Sequence, residues 1–331
     1  MTNTPEILLT VLMPVYNSEK FLEASIESIL KQTLKAFEFI IINDGSTDSS
    51  EDIIKSFCDS RIRYISNFSN KGIVETLNEG LKLSRGKYIA RMDADDIASP
   101  ERLSKQLRYM QTHPECKLCG SRALGIDVKG VKLYSINRPL NRDKIKVFNL
   151  FRNAFIHPAI MADAEVIKEY AYHEDYKYAE DYLLFSKISM NYSVANLKHC
   201  LLNYRIHNES ITAKKNEEMI RSELKTIAYL LSFLFDKVSE SMLLLHHSLL
   251  RPANTSFPIR KMEEHLISIS HANEKKHIYN QAILDKQLQK EWFSLLLKSK
   301  DRLALNKFLS SELFRVKHLN LKQLFKLMSI K

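Results

Sequence analysis

The first 120 residues alternate short apolar runs with amphipathic stretches. Residues 8–13 are apolar and close on Pro14, Tyr16 and Asn17. Residues 18–32 then place Phe21, Leu22, Ile26, Ile29 and Leu30 on one helical stripe. A second apolar run, 37–42, ends in Asn43-Asp44-Gly45-Ser46-Thr47-Asp48, and a helix is predicted over about 48–58. A third strand is predicted over 62–66, a helix over about 72–84, and a fourth strand over 87–92. Pro100 suits the first turn of a helix that continues to about 112.

Such βαβ units imply a mostly parallel sheet flanked by helices. Ligands of these sheets bind outside the carboxyl ends of the strands. PVYN, NDGSTD and DADD each follow a strand directly, so the three polar clusters are expected to open into one crevice.

Beyond residue 120 the pattern is looser. Residues 121–140 read as strand or hairpin with turns at Gly125 and Gly130, and residues 159–161 as a short strand. A helix over 178–190 opens with Glu180 and Asp181. Residues 192–197 and 199–206 read as two edge strands, the second running into YRIHNES. From about 213 the pattern is helical, with Pro252 and Pro258 bracketing a break. The predicted organisation is a catalytic domain over 1–212, with halves of about 1–112 and 113–212, and a basic helical region over 213–331.

Composition bounds the function. The chain has 331 residues, 45% apolar and 27% charged, as in a soluble globular protein. Residues 1–212 carry 28 Lys+Arg against 27 Asp+Glu, and residues 213–331 carry 21 against 12, so the net charge of +10 belongs to the C-terminal third. That third has no zinc-finger spacing or basic–aromatic RNA-binding motif, so no nucleic-acid partner is expected. Four cysteines make no disulfide framework in a chain this long, and Cys116-Lys-Leu-Cys119 reads as part of an apolar strand. The N-terminus lacks a signal-peptide pattern and no apolar run is long enough to span a membrane, so a cytoplasmic protein is expected.

The chemistry centres on carboxylates. Asp93 and Asp95 sit at i and i+2 and point to the same side of an extended segment. Paired hard oxygens suit Mg²⁺ or Mn²⁺, which also hold substrate phosphates. The competing reading is a solvated acidic turn, with Asp96 or Ser99 capping the next helix. Asp44 could accept the imide N–H of a uracil ring, against an Asx-turn and helix cap built from Asp44, Ser46 and Asp48. Tyr16 could wall a flat ring, and Asn70-Lys71-Gly72 reads as a loop on the same pocket or a plain turn. Glu180 and Asp181 are a second acidic pair, suited to a general base or simply to a helix N-terminus. His207 reads as a third metal ligand, a diphosphate contact or a structural histidine. His157, before Pro158, reads as an acceptor-pocket or packing residue.

Together, PVYNSEKFLEASIESILKQT, FIIINDGSTD, NKGIVETLNEGL, GKYIARMDADDIASPERL, AEDYLLF and YRIHNESIT resemble the family 2 inverting glycosyltransferases, over residues 8–210. The last two segments are similar to bacterial enzymes that extend lipooligosaccharide or capsule. The resemblance implies the GT-A nucleotide-diphospho-sugar transferase fold with a C-terminal helical extension. It implies a nucleotide-sugar site of Pro14, Tyr16, Asn17, Asp44, Ser46, Lys71, Asn78, Arg91, Asp93, Ala94 and Asp95. Mn²⁺ or Mg²⁺ would be held by Asp93, Asp95 and His207. Asp181 would be the catalytic base, with Glu180 positioning substrate and His157 and Tyr204 facing the acceptor. The implied donor is a UDP-sugar carrying a hexose or N-acetylhexosamine, and the acceptor an oligosaccharide or lipid-linked glycan, joined through a β-glycosidic bond.

One departure stands out. Many relatives carry an Arg-Asn pair after the N-x-G loop, and this chain has Leu77-Asn78. Lys71, Arg85 and Arg91 are the candidates to supply the missing charge. A non-catalytic sugar-nucleotide-binding subunit is the alternative function. A phosphohydrolase or nucleotidyltransferase lacks support, because no glycine-rich N-terminal loop is present. The final stretch, SSELFRVKHLNLKQLFKLMSIK, mixes apolar and basic residues. It suggests peripheral association with the cytoplasmic face of the inner membrane, against packing on the catalytic domain or another subunit.

Overall fold

The computed structural model describes residues 7–207, 216–250, 257–299, 301–318 and 321–329. They fall into two compact units, Met1–Ile145 with Asn153–Ser222, and Lys146–Arg152 with Glu223–Lys331.

The first unit is built on a nine-stranded sheet. Strands β1 (Leu9–Val15), β2 (Glu38–Asn43), β3 (Ile62–Ser66) and β4 (Tyr88–Arg91) lie in the order β3-β2-β1-β4 and are all parallel. Every residue of β1, β2 and β4 is buried, which explains their unbroken apolar runs. Helices α1 (Leu22–Leu30), α2 (Ser50–Ser56) and α3 (Ile73–Leu83) connect them. The α1 stripe is as predicted, with Leu22, Ile26 and Ile29 fully buried.

The sheet then changes sense. The order beyond β4 continues through β8 (Met161–Asp163), β6 (Cys116–Ile126), β9 (Ser193–Arg205) and the two-residue β5 (Ile97–Ala98). β8 is antiparallel to both β4 and β6, whereas β9 runs parallel to β6. β7 (Lys132–Ile136) forms a hairpin with β6. Two expectations are corrected here. Residues 193–205 form one strand, and the two-residue β5 covers its outer side at Leu202 and Asn203, so only its first part is an edge. Gly125 lies within β6 beside a bulge, and only Gly130, at φ +82°, makes the turn.

Helix α4 (Arg102–Thr112) fastens the change of sense. Arg102 is fully buried and donates to the carbonyls of Arg91 (2.6 Å) and Ile160 (3.2 Å). One turn on, Gln106 donates to the carbonyls of Cys119 (3.0 Å) and Ala159 (2.9 Å). Two side chains thus bridge β4, β6 and the turn before β8. Helices α5 (Arg142–Asn149), α6 (Ala164–Tyr170) and α7 (Glu180–Asn191) complete this region.

The second unit takes in α8 (Asn216–Leu231) from Glu223 onward, α9 (Glu240–Leu250), α10 (Ile259–Lys276), α11 (Gln281–Ser299), α12 (Ala304–Ser310) and α13 (Leu321–Met328). Its buried side chains include Trp292, Leu266, Ile269, Leu288 and Phe308. Residues 146–152 belong to this core: Leu150 and Phe151 are fully buried, and Arg152 pairs with Glu291 at 2.7 Å. His246 bonds His265 (2.9 Å) and the Leu150 carbonyl (2.8 Å). Burial pushes these two imidazoles down to about 4 and about 3, so both are neutral. In α13, Leu327 is buried while Phe325 and Met328 are exposed. No helix among the described residues is long and apolar enough to cross a membrane. Pro252 lies outside the described residues.

Gly45 and Gly130 both have positive φ, but only Gly45 is crowded. A Cβ there would meet the Ser69 backbone at 2.6 Å, whereas at Gly130 nothing lies within 4 Å. Left-handed strain costs roughly 1–3 kcal/mol at either site. Gly45→Ala is expected to lose at least twice the stability that Gly130→Ala loses in urea melts. Equal losses would contradict this packing.

Candidate active site

Three strand ends meet at one margin of the parallel half. The loop after β1 and the loop after β2 are latched together. Asn17 (φ 47°) accepts the Thr47 N–H at 2.8 Å, and Ser46 Oγ accepts the Asn17 N–H at 3.0 Å. Asn17 and Ser46 therefore shape the rim with their side chains. Pro14 lies within β1, and the Tyr16 side chain beyond it is half exposed. Asp48 accepts from the Ser50 N–H at 3.0 Å, as the local turn reading expected.

Asp44 is buried and organises the next loop. Its Oδ1 accepts from Asn67 Nδ2 (2.9 Å) and the Lys71 N–H (3.0 Å), and its Oδ2 from the Gly72 N–H (2.9 Å). A carboxylate has about four acceptor positions, so one remains, on Oδ2. Of the candidates for the missing charge, Arg85 is removed: it pairs with Glu38 at 2.9 Å, at the first residue of β2. The Lys71 ammonium pairs with Glu79 at 3.1 Å. Asn78 clips the Tyr172 backbone, donating to its carbonyl (2.8 Å) and accepting from its N–H (2.9 Å).

The carboxylates after β4 form a tight group. Oxygens of Asp93, Asp95 and Asp96 all lie within 4.8 Å of one another, an arrangement that could hold a metal ion. Asp93 is paired with the buried guanidinium of Arg91. Asp95 Oδ2 contacts His207 Nε2 at 2.8 Å. Asp96 Oδ1 accepts the Arg205 N–H at 2.8 Å, while its buried Oδ2 has no partner among the described residues. Burial, then neighbouring acids, pushes Asp96 well above the usual carboxylate range. Burial likewise raises Asp93, although Arg91 opposes it. Behind them burial lowers Arg102 to about 9. Ala94 is buried, and its carbonyl accepts from Ser25 Oγ at 2.9 Å.

This geometry changes one reading and adds a residue to another. Asp96 is not a cap: Glu101 is the residue before α4, and the Asp96 carboxylate turns instead to β9. His207 stands beside Asp95, while Asp96 completes the close trio. Asn208 and Ser210 lie outside the described residues.

The second acidic pair opens α7 but does not face solvent as a plain helix-end pair would. Glu180 is buried and its Oε2 has no partner among the described residues. Asp181 Oδ2 accepts from Asn153 Nδ2 at 2.8 Å. Burial, together with the adjacent Asp181 charge, raises Glu180 to about 7. Burial raises Asp181 to about 6, against the pull of Arg91. Nearby, His157 Nε2 and the Tyr172 hydroxyl are bonded at 2.8 Å, and His157 packs edge-on to Phe185. Burial keeps His157 neutral and raises the Tyr172 phenol. Burial raises the Tyr204 phenol too, followed by the charges of Asp93, Asp96 and Asp95.

Arg91 links the two clusters, because its charge acts on Asp93, Asp96, Glu180 and Asp181 alike. Tyr172, Asn153, Arg102 and Arg205 were not expected in the site. Asn153 had a weak signal in its place just before His157-Pro158. Arg102 and Arg205 lay within the quoted segments GKYIARMDADDIASPERL and YRIHNESIT without being singled out, and Tyr172 had no signal, since only the tertiary fold aims these side chains inward.

The chain matches the family described as Glycosyl transferase family 2 over residues 10–170. It is 34% identical over 252 residues to an uncharacterized glycosyltransferase of Haemophilus influenzae, covering 72% of this chain and 77% of that protein. It is 35% identical over 216 residues to the O-antigen biosynthesis glycosyltransferase WbnJ of Escherichia coli, covering 61% of this chain and 81% of that protein. Its structure is similar to that of S. aureus TarS, residues 1–349, in complex with UDP-GlcNAc. The TM-score is 0.59 at 15% identity, covering 97% of this chain and 90% of the other. At that identity the likeness speaks to the fold, and it extends well past residue 170.

The Asp44 geometry makes a prediction about the rim. Asp44→Asn turns one acceptor oxygen into a donor, so the Lys71 or Gly72 N–H is left facing an NH₂ group. A buried donor left unpaired costs about 1–3 kcal/mol. Hydrogen exchange at Lys71 or Gly72 is expected to accelerate at least about tenfold, with the rest of the sheet unaffected. Unchanged protection at both amides would rule out this role.

Proposed function

The chain belongs to glycosyl transferase family 2, and from that premise we propose that it moves a hexose or N-acetylhexosamine from a UDP-sugar to a hydroxyl of a cell-surface glycan. The observation that carries this reading is the pairing of two acid clusters around Arg91. The UDP-GlcNAc bound to TarS and the O-antigen role of WbnJ support the donor and acceptor classes.

The donor set fits a divalent cation. Of the close trio Asp93, Asp95 and Asp96, Asp93 alone pairs with a guanidinium among the described residues, that of Arg91, while Arg205 spends its guanidinium on the Asp95, Asp127 and Val128 carbonyls. The unpartnered Asp96 Oδ2 is the kind of atom a hard cation satisfies. Mn²⁺ or Mg²⁺ would be held by Asp93 and Asp95, with Asp96 beside them and His207 fixing Asp95 or joining the set. Such an ion, when bound, supplies charge stabilisation to a leaving diphosphate.

The remaining roles fall to the chain. Tyr16 and the Asp44-organised rim hold the nucleotide, and the free Asp44 lone pair accepts the uracil imide N–H. Pro14, Asn17, Ser46, Lys71 and Asn78 shape that pocket, and Ala94 spaces the acids. Asp181 receives the acceptor hydroxyl proton as the oxygen attacks the anomeric carbon. The new C–O bond forms as the bond to UDP breaks, and UDP departs with the electron pair. A single displacement inverts the centre, so an α-linked donor gives a β-glycoside. Asn153 aims Asp181, and Glu180 positions substrate. His157 and Tyr204 border the acceptor side.

A proton acceptor must be ionised before it can act. Raised carboxylates are protonated below their shifted values, so kcat/KM is expected to rise with pH across about 6 to about 7, where Asp181 and Glu180 titrate. A rate independent of pH between 5 and 8 would contradict this assignment.

Two variants separate base from donor site, scored by UDP release with a panel of UDP-sugars. Asp181→Asn should keep UDP affinity while transfer falls at least about 100-fold. Asp95→Ala should lose Mn²⁺-dependent UDP binding altogether. Normal transfer by Asp181→Asn would sink the base assignment.

A further inference from the structure

The β6–β7 hairpin tip is exposed on all sides, from Val128 through Ser135. It carries Val128 (52% exposed), Val131 (57%), Leu133 (50%) and Tyr134 (58%). No other seven-residue stretch among the described residues exposes more than two large apolar side chains. Soluble chains rarely group such residues without a use for them.

The tip is also rigid. Asp127 Oδ1 accepts the N–H groups of Lys129 and Val131, both at 2.8 Å, and the Gly130 N–H bonds the Asp127 carbonyl at 3.0 Å. The one local carboxylate is therefore turned onto the backbone. What remains outward is Lys129 and Lys132 among apolar side chains, with no acidic residue from 128 to 135.

We propose that this hairpin is a membrane-docking tip that enters the headgroup region of an anionic bilayer and holds the acid cluster at its surface. The apolar side chains would sit at the acyl boundary, Tyr134 at the interface, and the two lysines against lipid phosphates. All-round exposure favours a fluid interface over a second copy of the chain, because a flat protein face covers one side of a two-stranded ribbon.

The tip is joined directly to the chemistry. Arg205 Nη1 donates to the Asp127 and Val128 carbonyls (3.0 and 3.1 Å), and its Nε donates to the Asp95 carbonyl at 2.8 Å. A docked hairpin thus sets the position of the acid cluster relative to the lipid surface. This is where an acceptor carried on a lipid would be met. Docking does not depend on the transfer reading, since it is measured without donor or turnover.

The test is sedimentation of the full chain with vesicles of phosphatidylethanolamine and phosphatidylglycerol, against vesicles of phosphatidylcholine. Binding to the anionic vesicles only is expected. Lys129→Gln with Lys132→Gln should weaken it about 25-fold, at roughly fivefold per lysine. Val131→Ser with Leu133→Ser should weaken it roughly tenfold or more. Both pairs are exposed, so thermal melts should match the parent. Three results would overturn the proposal. One is no binding of the parent chain to anionic vesicles. Another is full binding by both hairpin variants, including where Phe325→Ser with Met328→Ser in α13 abolishes it. The last is a concentration-dependent dimer that Val131→Ser with Leu133→Ser disperses.

Discussion

The ion pair between Arg91 and Asp93 is the contact on which the rest of the site depends. Arg91 is the last residue of β4, buried where the parallel half of the sheet meets its antiparallel extension. Its charge acts on carboxylates from two segments nearly ninety residues apart. A buried guanidinium without acids would be costly, and so would the acids without it. Burial, with neighbouring carboxylates adding to it and Arg91 opposing it, raises Asp181 and Glu180 into the range where a carboxylate can take up a proton near neutrality.

The architecture explains how so much charge stays in register. The backbone at Arg91 is held from behind by Arg102, and α4 reaches across to the β6 and β8 side through Gln106. β9 arrives from the far end of the chain and delivers Arg205 to Asp96, with His207 following at Asp95. The cluster is thus fixed by local strand geometry on one side and by a long-range strand on the other.

The parallel half was legible because burial on both faces forces continuous apolar strands, and polar clusters then mark their ends. Asp93 and Asp95 stood out for that reason, at the end of β4, whereas Glu180 and Asp181 stood out as an acidic pair opening a helix. What could not be read was direction. Asp96 looks like a helix cap in sequence, yet its carboxylate faces β9. Residues 192–206 look like two edge strands because residues 198–200 are exposed within β9. β5, which covers that strand, has only two residues, too few to leave a periodic signal. Arg102 and Gln106 read as ordinary polar helix positions, and only the fold shows that they point inward.

The Leu77-Asn78 departure takes on meaning from this arrangement. Leu77 is fully buried, so an arginine could not simply take its place. Asn78 braces Tyr172, which bonds His157, so this turn of α3 supports that pair rather than contributing charge. Arg91, inside the sheet, is already matched to Asp93. A guanidinium so engaged is poorly placed to follow a departing phosphate. Under the proposed reaction, stabilisation of the leaving group therefore falls more heavily on the cation that the acid trio would hold. That ties the substitution on α3 to the surplus of carboxylates after β4.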